Sequence, residues 1–369
     1  ADYRLSGRWS SPPTPALGPA LTASRASVGT YEPQAGHVVD ALSGELRCGS
    51  TGCLQEPART NIVIRSNSIG GTGWTLNSNT LGALIAAPDG TITGAPLSVA
   101  SGAGSTYQVI SGASATTYTV SAWIKAGTGD PGISMGCSGG APASCTCTTT
   151  SGTCTGTTAL GECTVRSASS SGWTRITGTA TCPATTSSLS FAAGPDGFLG
   201  SVGKTGSFWC AQIEAGSHAT SCIPTAASAV ARAADSLSVP SSVLGSGAAS
   251  LHLVLTPEWA SSVDATLVSS TTANELVLST VSGALDWLIG GNDISTSALG
   301  WSAGTAQTLD AWYTPGGQYR VTDGTHPATG VSAATPSPGT PLYLGGSSSA
   351  GAGVALSQVK VCKRAGVCR

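Results

Sequence analysis

The sequence has few charged side chains and no long apolar run. Only 9% of its 369 residues are charged, against about 25% in typical globular domains, and the net charge is −2. It contains no basic patch, so we expect neither nucleic acid nor an anionic membrane surface as a partner. A membrane-spanning helix needs about 20 apolar residues, and every apolar run falls short of that length, so we expect no membrane insertion.

The composition nevertheless predicts a folded protein. Hydrophobic residues make up 40% of the chain, and the nine Trp require a core to bury them. Gly is abundant, with 50 residues, about twice its usual share of roughly 7%. A Gly-, Ser- and Thr-rich chain with little charge is typical of an extracellular all-β protein.

Twelve cysteines, an even number, predict a disulfide framework in a secreted protein. Two close pairs could each close a short loop, and six cysteines between positions 137 and 182 form a cluster whose connectivity the sequence does not give. Zinc is disfavoured because the repeated two-residue spacing of zinc ribbons is missing. The first residues, Ala-Asp-Tyr, resemble a mature N-terminus after signal removal, although an expression product would look the same. The cysteines are Cys48, Cys53, Cys137, Cys145, Cys147, Cys154, Cys163, Cys182, Cys210, Cys222, Cys362 and Cys368.

Apolar and polar residues alternate with a period of two along much of the chain. In the stretch 118–125, Tyr118, Val120, Ala122 and Ile124 alternate with polar residues and Trp123. Turn-forming Gly, Pro, Asn and Asp separate such stretches, which is the pattern of antiparallel sheet. The sequence therefore predicts an all-β fold of two tandem antiparallel sandwiches with an extended N-terminal arm.

The predicted organisation has five segments. They are a Pro-rich arm, a lead-in that resembles a hairpin, a first sandwich, an Ala/Ser-rich linker and a second sandwich. The segments are the arm 1–21, the lead-in 22–60, the first sandwich with its Cys-rich insertion 61–225, the linker 226–247 and the second sandwich 248–369.

Several phrases resemble the modules of phage tail fibres and head fibres. Arg25-Ala26-Ser27 with Tyr31, followed by Glu56-Pro57-Ala58-Arg59-Thr60-Asn61, is similar to the opening of such modules, and 209–235 resembles their exit. The phrases GWTLNSNT, APDGT and YTVSAWIKAG resemble their middle strands. The resemblance covers about 22 to 361 and implies a carbohydrate-binding-like jelly roll followed by a concanavalin A-like, laminin-G-type sandwich. The cysteines and the 137–163 insertion depart from this pattern and suggest a secreted cellular relative.

No catalytic constellation emerges from the sequence. Glycoside hydrolysis needs two facing carboxylates, and no motif nominates a pair among the 18 Asp and Glu. Glu214 is expected to be a buried carboxylate tied to backbone amides or to Arg59, which is itself expected to be structural. The four His are scattered and no nucleophile elbow is present, so a Ser-His-Asp triad is unsupported. We expect a non-enzymatic protein.

No cofactor is expected, although a structural Ca²⁺ is an open alternative because oxygen-bearing side chains lie near Gly in predicted loops. No regular spacing defines a site among them, so the metal ligands are unknown. The loop residues are Asp89, Asp130, Asp196, Asn292 and Asp293.

Aromatic side chains are the best indication of ligand binding, since indoles stack on the apolar faces of sugars. Four tryptophans are the candidate glycan-binding residues, with core packing as the alternative for each: three lie in polar or Gly-rich surroundings, and Trp123 alternates away from the apolar face of its predicted strand. Trp209 and Trp287 have apolar neighbours and are expected in the core. The candidates are Trp74, Trp123, Trp301 and Trp312.

Three functions remain open. The first is a secreted, non-catalytic adhesin or tail-fibre-like protein that binds extracellular glycans at the cell surface. The second is a subunit of an extracellular filament, in which the N-terminal arm pairs with the exposed sheet edge of a neighbouring copy. The third is a glycan-degrading hydrolase or lyase.

Overall fold

The part of the chain described by the computed structural model comprises residues 2–4, 19–34, 37–49, 52–112, 115–138, 144–148, 163–168, 171–197, 199–244, 247–271, 276–332, 337–347 and 351–363. Strands dominate these residues, and the only helical element among them is the short 3₁₀ turn η1, Ser241–Val243. Within these ranges no helix is long and apolar enough to cross a membrane.

The strands are given in chain order. The first twenty are β1 Asp2–Arg4, β2 Thr22–Ser24, β3 Gly29–Gln34, β4 His37–Ala41, β5 Cys48–Gly49, β6 Gly52–Gln55, β7 Arg59–Asn61, β8 Thr75–Asn77, β9 Asn79–Leu81, β10 Ile85–Ala86, β11 Ile92–Val99, β12 Ser105–Ser111, β13 Thr117–Ala126, β14 Gly132–Cys137, β15 Ser144–Thr148, β16 Cys163–Ala168, β17 Trp173–Thr181, β18 Ser188–Gly194, β19 Thr205–Ala215 and β20 Val230–Arg232. The others are β21 Ser236–Val239, β22 Ala249–Pro257, β23 Ala265–Ser270, β24 Leu276–Val281, β25 Ala284–Ile289, β26 Asn292–Ser295, β27 Gln307–Tyr313, β28 Gln318–Thr322, β29 Ala328–Val331, β30 Leu342–Leu344 and β31 Val354–Cys362.

The chain forms two compact units. Unit 1 comprises 1–33, 41–58 and 233–369, and unit 2 comprises 34–40 and 59–232. Each unit contains two antiparallel sheets with a hydrophobic core between them, so the prediction of an all-β fold built from antiparallel sandwiches is confirmed.

Unit 1 pairs an eight-stranded sheet with a seven-stranded one. The first has the order β29-β28-β27-β22-β31-β6-β5, with β1 also pairing with β31, and the second has the order β2-β21-β30-β23-β24-β25-β26. The alternation of β22 explains its position in the sandwich, because Leu251, Leu253 and Leu255 enter the core while His252 and Val254 occupy the outer face.

Unit 2 pairs a seven-stranded sheet with a five-stranded one. Their orders are β10-β11-β19-β13-β17-β16, with β9 also on β11, and β15-β14-β18-β12-β8. The core between them holds Val120, Ile124, Phe191 and Phe208. A smaller cluster, which includes Trp123, lies apart from this core.

The structure corrects the predicted linear domain order. In the predicted linker 226–247, β20 pairs with β7 and β21 pairs with both β2 and β30. In the predicted lead-in, β2 and β6 pair with strands of unit 1, so most of 22–60 belongs to the sandwich that ends the chain. The Ala/Ser-rich composition concealed these pairings, because only Leu237 and Val239 show the strand's buried face.

The N-terminal arm is also placed differently from the prediction. Its residues Asp2–Arg4 form β1, which pairs with Gln358–Lys360 of β31 in the same chain. Positions 5–18 of the arm lie outside the described residues. The arm therefore contributes a strand to a sheet and is not simply an extended segment.

Candidate functional site

Three of the four predicted glycan-binding tryptophans are core residues. Trp74 packs edge-on against Phe191, with ring centroids 5.6 Å apart, and Trp301 packs against Trp259 at 5.9 Å. The exposed fraction is 8% for Trp74, 1% for Trp123 and 7% for Trp301. An indole that neighbouring side chains already cover cannot stack on a sugar, so the predicted platform is wrong for these three residues.

Trp123 illustrates why alternation misled the prediction. It leaves the core face of β13, as expected, but the outer face of that sheet is covered as well. There it clusters with Trp173, Trp209 and Val38. The indole N–H groups of Trp173 and Trp209 donate to the Ala86 carbonyl at 3.1 Å and to the Thr93 hydroxyl at 3.0 Å.

Trp312 is the half-buried member of the predicted set. It lies on β27, on the face of the eight-stranded sheet opposite the core, between core residues Ala311 and Tyr313. In the antiparallel register its cross-strand neighbours are Ser250 on β22 and Arg320 on β28. Directly opposed residues of neighbouring strands share a face, so the indole lies between a hydroxyl and a guanidinium.

Asp310 lies two residues before Trp312 on the same face, and the residues opposite it on the neighbouring strands form a polar and charged row. Asp310 lies opposite both Thr322 and His252, and His252 lies opposite Lys360. His252 Nδ1 and Asp310 Oδ1 are 2.9 Å apart, and their side chains are about one-seventh exposed. This contact orients the imidazole and leaves Nε2 as its second polar atom.

Together these residues form the Trp312 face, defined as Ser250, His252, Asp310, Trp312, Arg320, Thr322 and Lys360. The face offers one half-buried aromatic surface beside carboxylate, imidazole and cationic groups, and its accessible hydroxyl is that of Thr322, because Ser250 is only 2% exposed. Such a mixture can stack on the apolar side of a sugar ring and hydrogen-bond its hydroxyls. Sequence reasoning found Trp312 but missed its partners, because only the strand register brings four separate strands together.

A second His–Asp pair lies in the turn between β28 and β29. His326 Nδ1 is 2.8 Å from Asp323 Oδ2, and Asp323 Oδ1 accepts the backbone N–H groups of Thr325 and His326. Partial burial raises the pKa of the Asp323 carboxyl, but the hydrogen bonds from His326 and Thr325 outweigh it, and the pKa lies below its usual range. The pair fixes the turn at one edge of the sheet.

Two core tyrosines on the same sheet have raised pKa values. Burial raises the pKa of the Tyr313 phenol. Burial and the charge of Asp293 raise the pKa of Tyr319, whose hydroxyl donates to the Asp293 carbonyl at 3.3 Å. Both groups are therefore neutral at physiological pH and act as packing residues beneath the Trp312 face.

Of the residues considered for Ca²⁺, Asp89 and Asp196 lie in turns, whereas Asn292 and Asp293 lie on β26 and not in the predicted loop. Asp89 Oδ1 accepts the Thr91 N–H at 3.0 Å, Asp196 Oδ1 accepts the Asp130 N–H at 3.2 Å, and Asn292 Nδ2 donates to Ser332 Oγ at 2.9 Å. In the described part of the chain, no three His, Cys, Asp or Glu side chains gather where they could hold a metal ion.

Three disulfides join described residues: Cys48–Cys53, Cys137–Cys182 and Cys210–Cys222. Cys362 is also disulfide-bonded. Cys154 and Cys368 lie outside the described residues, and Cys145, Cys147 and Cys163 lie on strands described by their backbone. The bridges of unit 2 place covalent links at both sheets of the sandwich, since Cys137 ends β14 and Cys210 lies on β19.

A buried charge network holds the lead-in of unit 1. Arg47 contacts Glu56 at 2.6 Å and also contacts Asp235, while Arg25 lies 3.1 Å from Asp235. Burial lowers the pKa of Arg47, but Glu56 and Asp235 raise it more, so the guanidinium stays charged. The phrases that carry the fibre resemblance thus meet in one place, at Arg25, Glu56 and Asp235, where they fix structure and present no exposed site.

Glu214 has the environment expected from the sequence. It has no exposed surface, and its Oε1 accepts the backbone N–H of Thr220 at 2.6 Å. A Cβ at Gly216, whose φ is +141°, would collide with the Arg59 guanidinium, so that guanidinium packs directly on the backbone. The prediction of a buried carboxylate tied to backbone amides is confirmed.

These features define a class of protein: a disulfide-bonded, all-β chain of antiparallel sandwiches that carries a mixed aromatic and polar sheet face. No protein-family model matches the chain, and no curated protein matches it. Among solved structures it is similar to domains LG4-5 of the mouse laminin alpha1 chain, with 13% identity and a TM-score of 0.24, over 71% of this chain and 91% of that one. A TM-score of 0.24 carries no argument about the fold. The fold class is therefore assigned from the strand pairing described above.

Proposed function

We propose that this protein is a non-catalytic binding module that recognises extracellular glycans through the Trp312 face. The observation that carries the proposal is the position of Trp312. It is a half-buried indole on an outer sheet face, flanked in register by Ser250 and Arg320. The other three candidate tryptophans are enclosed by protein, so the glycan contact is assigned to this residue.

The polar row beside Trp312 supplies the groups that a sugar needs. A pyranose placed on the indole would carry its hydroxyls over Thr322, Asp310 and His252, which can donate and accept hydrogen bonds. The fixed Asp310–His252 contact reduces the entropy lost on binding, because the two side chains already hold one arrangement.

The disulfides support a secreted or cell-surface location for this module, because such bonds persist in oxidising compartments. The motif resemblance to phage fibre modules supports an adhesin or fibre-like role. The proposal includes this role. It also includes the absence of catalysis, because no motif in the sequence indicates the catalytic residues of a hydrolase or a lyase.

A glycan array followed by titration calorimetry tests the proposal. The wild-type protein should bind a defined subset of glycans, and Trp312→Ala should lower the affinity for them about 5- to 150-fold, since loss of an aromatic stacking contact costs about 1–3 kcal/mol. Thr308→Ala is the matched control, because Thr308 lies on the same strand and face but is exposed. Equal binding by the Trp312 variant would contradict the assignment.

The second candidate function is a subunit of an extracellular filament. The specific observation is the pairing of β1 with β31 in the register Asp2–Lys360, Tyr3–Val359 and Arg4–Gln358. The same antiparallel addition could be made by β1 of another copy, which would link successive subunits edge to edge.

Electron microscopy of the native protein tests the filament function. Ordered filaments that disappear when residues 1–20 are deleted would support strand exchange through β1. Discrete particles from both proteins would exclude it and leave glycan binding as the primary role.

A further inference from the structure

Three buried polar side chains in unit 2 form one hydrogen-bonded group. Gln212 and Glu214 lie two residues apart on β19 and therefore share one face of the strand. Thr220 follows in the segment after that strand. None of the three has any exposed surface. An amide, a carboxylate and a hydroxyl thus lie together away from water.

The Glu214 carboxylate accepts hydrogen bonds from both of the other side chains. The Thr220 hydroxyl donates to Glu214 Oε2 at 2.7 Å, and the Gln212 amide nitrogen donates to Glu214 Oε1 at 2.9 Å. A carboxylate within hydrogen-bond reach of a hydroxyl can take its proton and make the oxygen a nucleophile. The resulting carboxylic acid can then turn to bring its protonated oxygen to the amide nitrogen and return the proton there.

The amide carbonyl has a donor of its own. Gln212 Oε1 accepts the backbone N–H of Ile223 at 2.8 Å, which polarises the carbonyl and would stabilise negative charge on that oxygen. The amide nitrogen also donates to the Thr220 carbonyl at 3.3 Å, so the side chain lies beside the residue that carries the hydroxyl. A nucleophile, a proton carrier, an electrophile and an oxyanion donor are therefore in one contact network.

We propose that Thr220 and Gln212 are joined by an intramolecular ester formed with Glu214 as the proton carrier. Glu214 removes the Thr220 hydroxyl proton, and Thr220 Oγ1 attacks Gln212 Cδ to give a tetrahedral intermediate whose oxyanion accepts the Ile223 N–H. The C–N bond then breaks, Glu214 gives its proton to the departing nitrogen, and ammonia leaves. The hydroxyl and the amide are converted to an ester and NH₃, with no oxidant, reductant or other reactant.

The surroundings favour this chemistry over hydrolysis. The reacting groups belong to one chain and both hydrogen-bond the same carboxylate, so bond formation needs a local rearrangement and no encounter between molecules. Their burial excludes the water that would cleave the ester. The cross-link would lie inside the loop closed by Cys210–Cys222 and would clamp the same segment by a bond that reducing agents do not break.

Intact-mass spectrometry of the folded, purified protein tests the proposal. The wild-type mass should be about 17 Da below the value calculated from the sequence and its disulfides, because one ammonia has been lost. Digestion after reduction should yield a peptide in which Gln212 and Thr220 are linked, and hydroxylamine should cleave that link.

Two substitutions locate the bond. Thr220→Val should restore the full mass, while Thr220→Ser, which keeps a hydroxyl, should retain the loss. If Thr220→Val does not fold, the wild-type peptide map and the Thr220→Ser protein still decide the question. A folded wild-type protein of full mass, with unmodified Gln212 and Thr220 in its peptides, would overturn the proposal.

Discussion

Arg47 contacts both carboxylate oxygens of Asp235, a residue 188 positions further along the chain. The Asp235 carboxylate also accepts from Arg25 and from the backbone N–H of Glu56. Because this carboxylate binds two buried guanidinium groups, it fixes the early and late segments of unit 1 to each other. The network therefore adds a buried polar link to the strand pairing and the shared core that join the lead-in to the rest of unit 1.

We expect Asp235→Ala to destabilise unit 1 by about 3–5 kcal/mol, because removing one partner leaves two buried charges uncompensated. Urea unfolding measures the change. Ser262→Ala is the control, since Ser262 is an exposed residue of unit 1 and its loss should change the unfolding free energy by less than about 0.5 kcal/mol. Similar midpoints for both variants would show that the network contributes little.

Substitution of a core tryptophan and substitution of the candidate binding tryptophan should have different effects on stability. Trp123→Ala should cost about 3–5 kcal/mol of stability, because it leaves a cavity against Trp173 and Trp209. The Trp312→Ala protein should remain folded but should bind the glycan only weakly. Thermal unfolding of the two variants checks this, and a larger loss for Trp312 than for Trp123 would reverse our assignment of core and site.

Asp323 should make the turn between β28 and β29 acid-sensitive. Its pKa is lowered in the folded protein from a reference value of 3.8, so its stabilisation is fully present above that pH and is lost as the pH falls through the folded value. The difference in unfolding free energy between wild type and Asp323→Asn should therefore shrink below about pH 3.8. A difference that is constant from pH 6 to about pH 2 would contradict the shift.

The disulfides should rank by the length of chain they enclose. Cys137–Cys182 spans 45 residues, Cys210–Cys222 spans 12 and Cys48–Cys53 spans 5. Loop entropy predicts losses of about 4, 3 and 2 kcal/mol when each pair is replaced by Ser, a model-dependent ranking. Chemical unfolding of the three double variants measures the order, and the largest loss at Cys48–Cys53 would exclude an entropic origin.

The sequence predicted what depends on local alternation. Strands such as β22 and β13 appear where apolar residues recur at every second position, and Trp209 and Trp287 are core residues, as expected from their apolar neighbours. Alternation assigns a residue to a face of a sheet but does not tell whether that face is covered. Trp123 was misassigned for this reason.

What depends on long-range pairing could not be read from the sequence. The Ala/Ser-rich stretch around Ser236–Val239 lacks a long alternating run, yet its pairing with β2 and β30 places it inside a sheet. Ser250, the neighbour of Trp312 on β22, likewise lies tens of residues away in the chain, although Arg320 belongs to the adjacent strand of the same hairpin. Register decides both, and register is a property of the folded sheet.

The most direct measurement of the central claim is an NMR titration of the protein labelled with ¹⁵N at its nine tryptophan indoles. A glycan identified on the array is added, and the Trp312 resonance is assigned by its absence from the Trp312→Phe variant. We predict that the Trp312 signal shifts first and furthest, while the signals of Trp74, Trp123 and Trp301 stay in place. Saturable shifts at any of those buried indoles, with the Trp312 signal unchanged, would contradict the account.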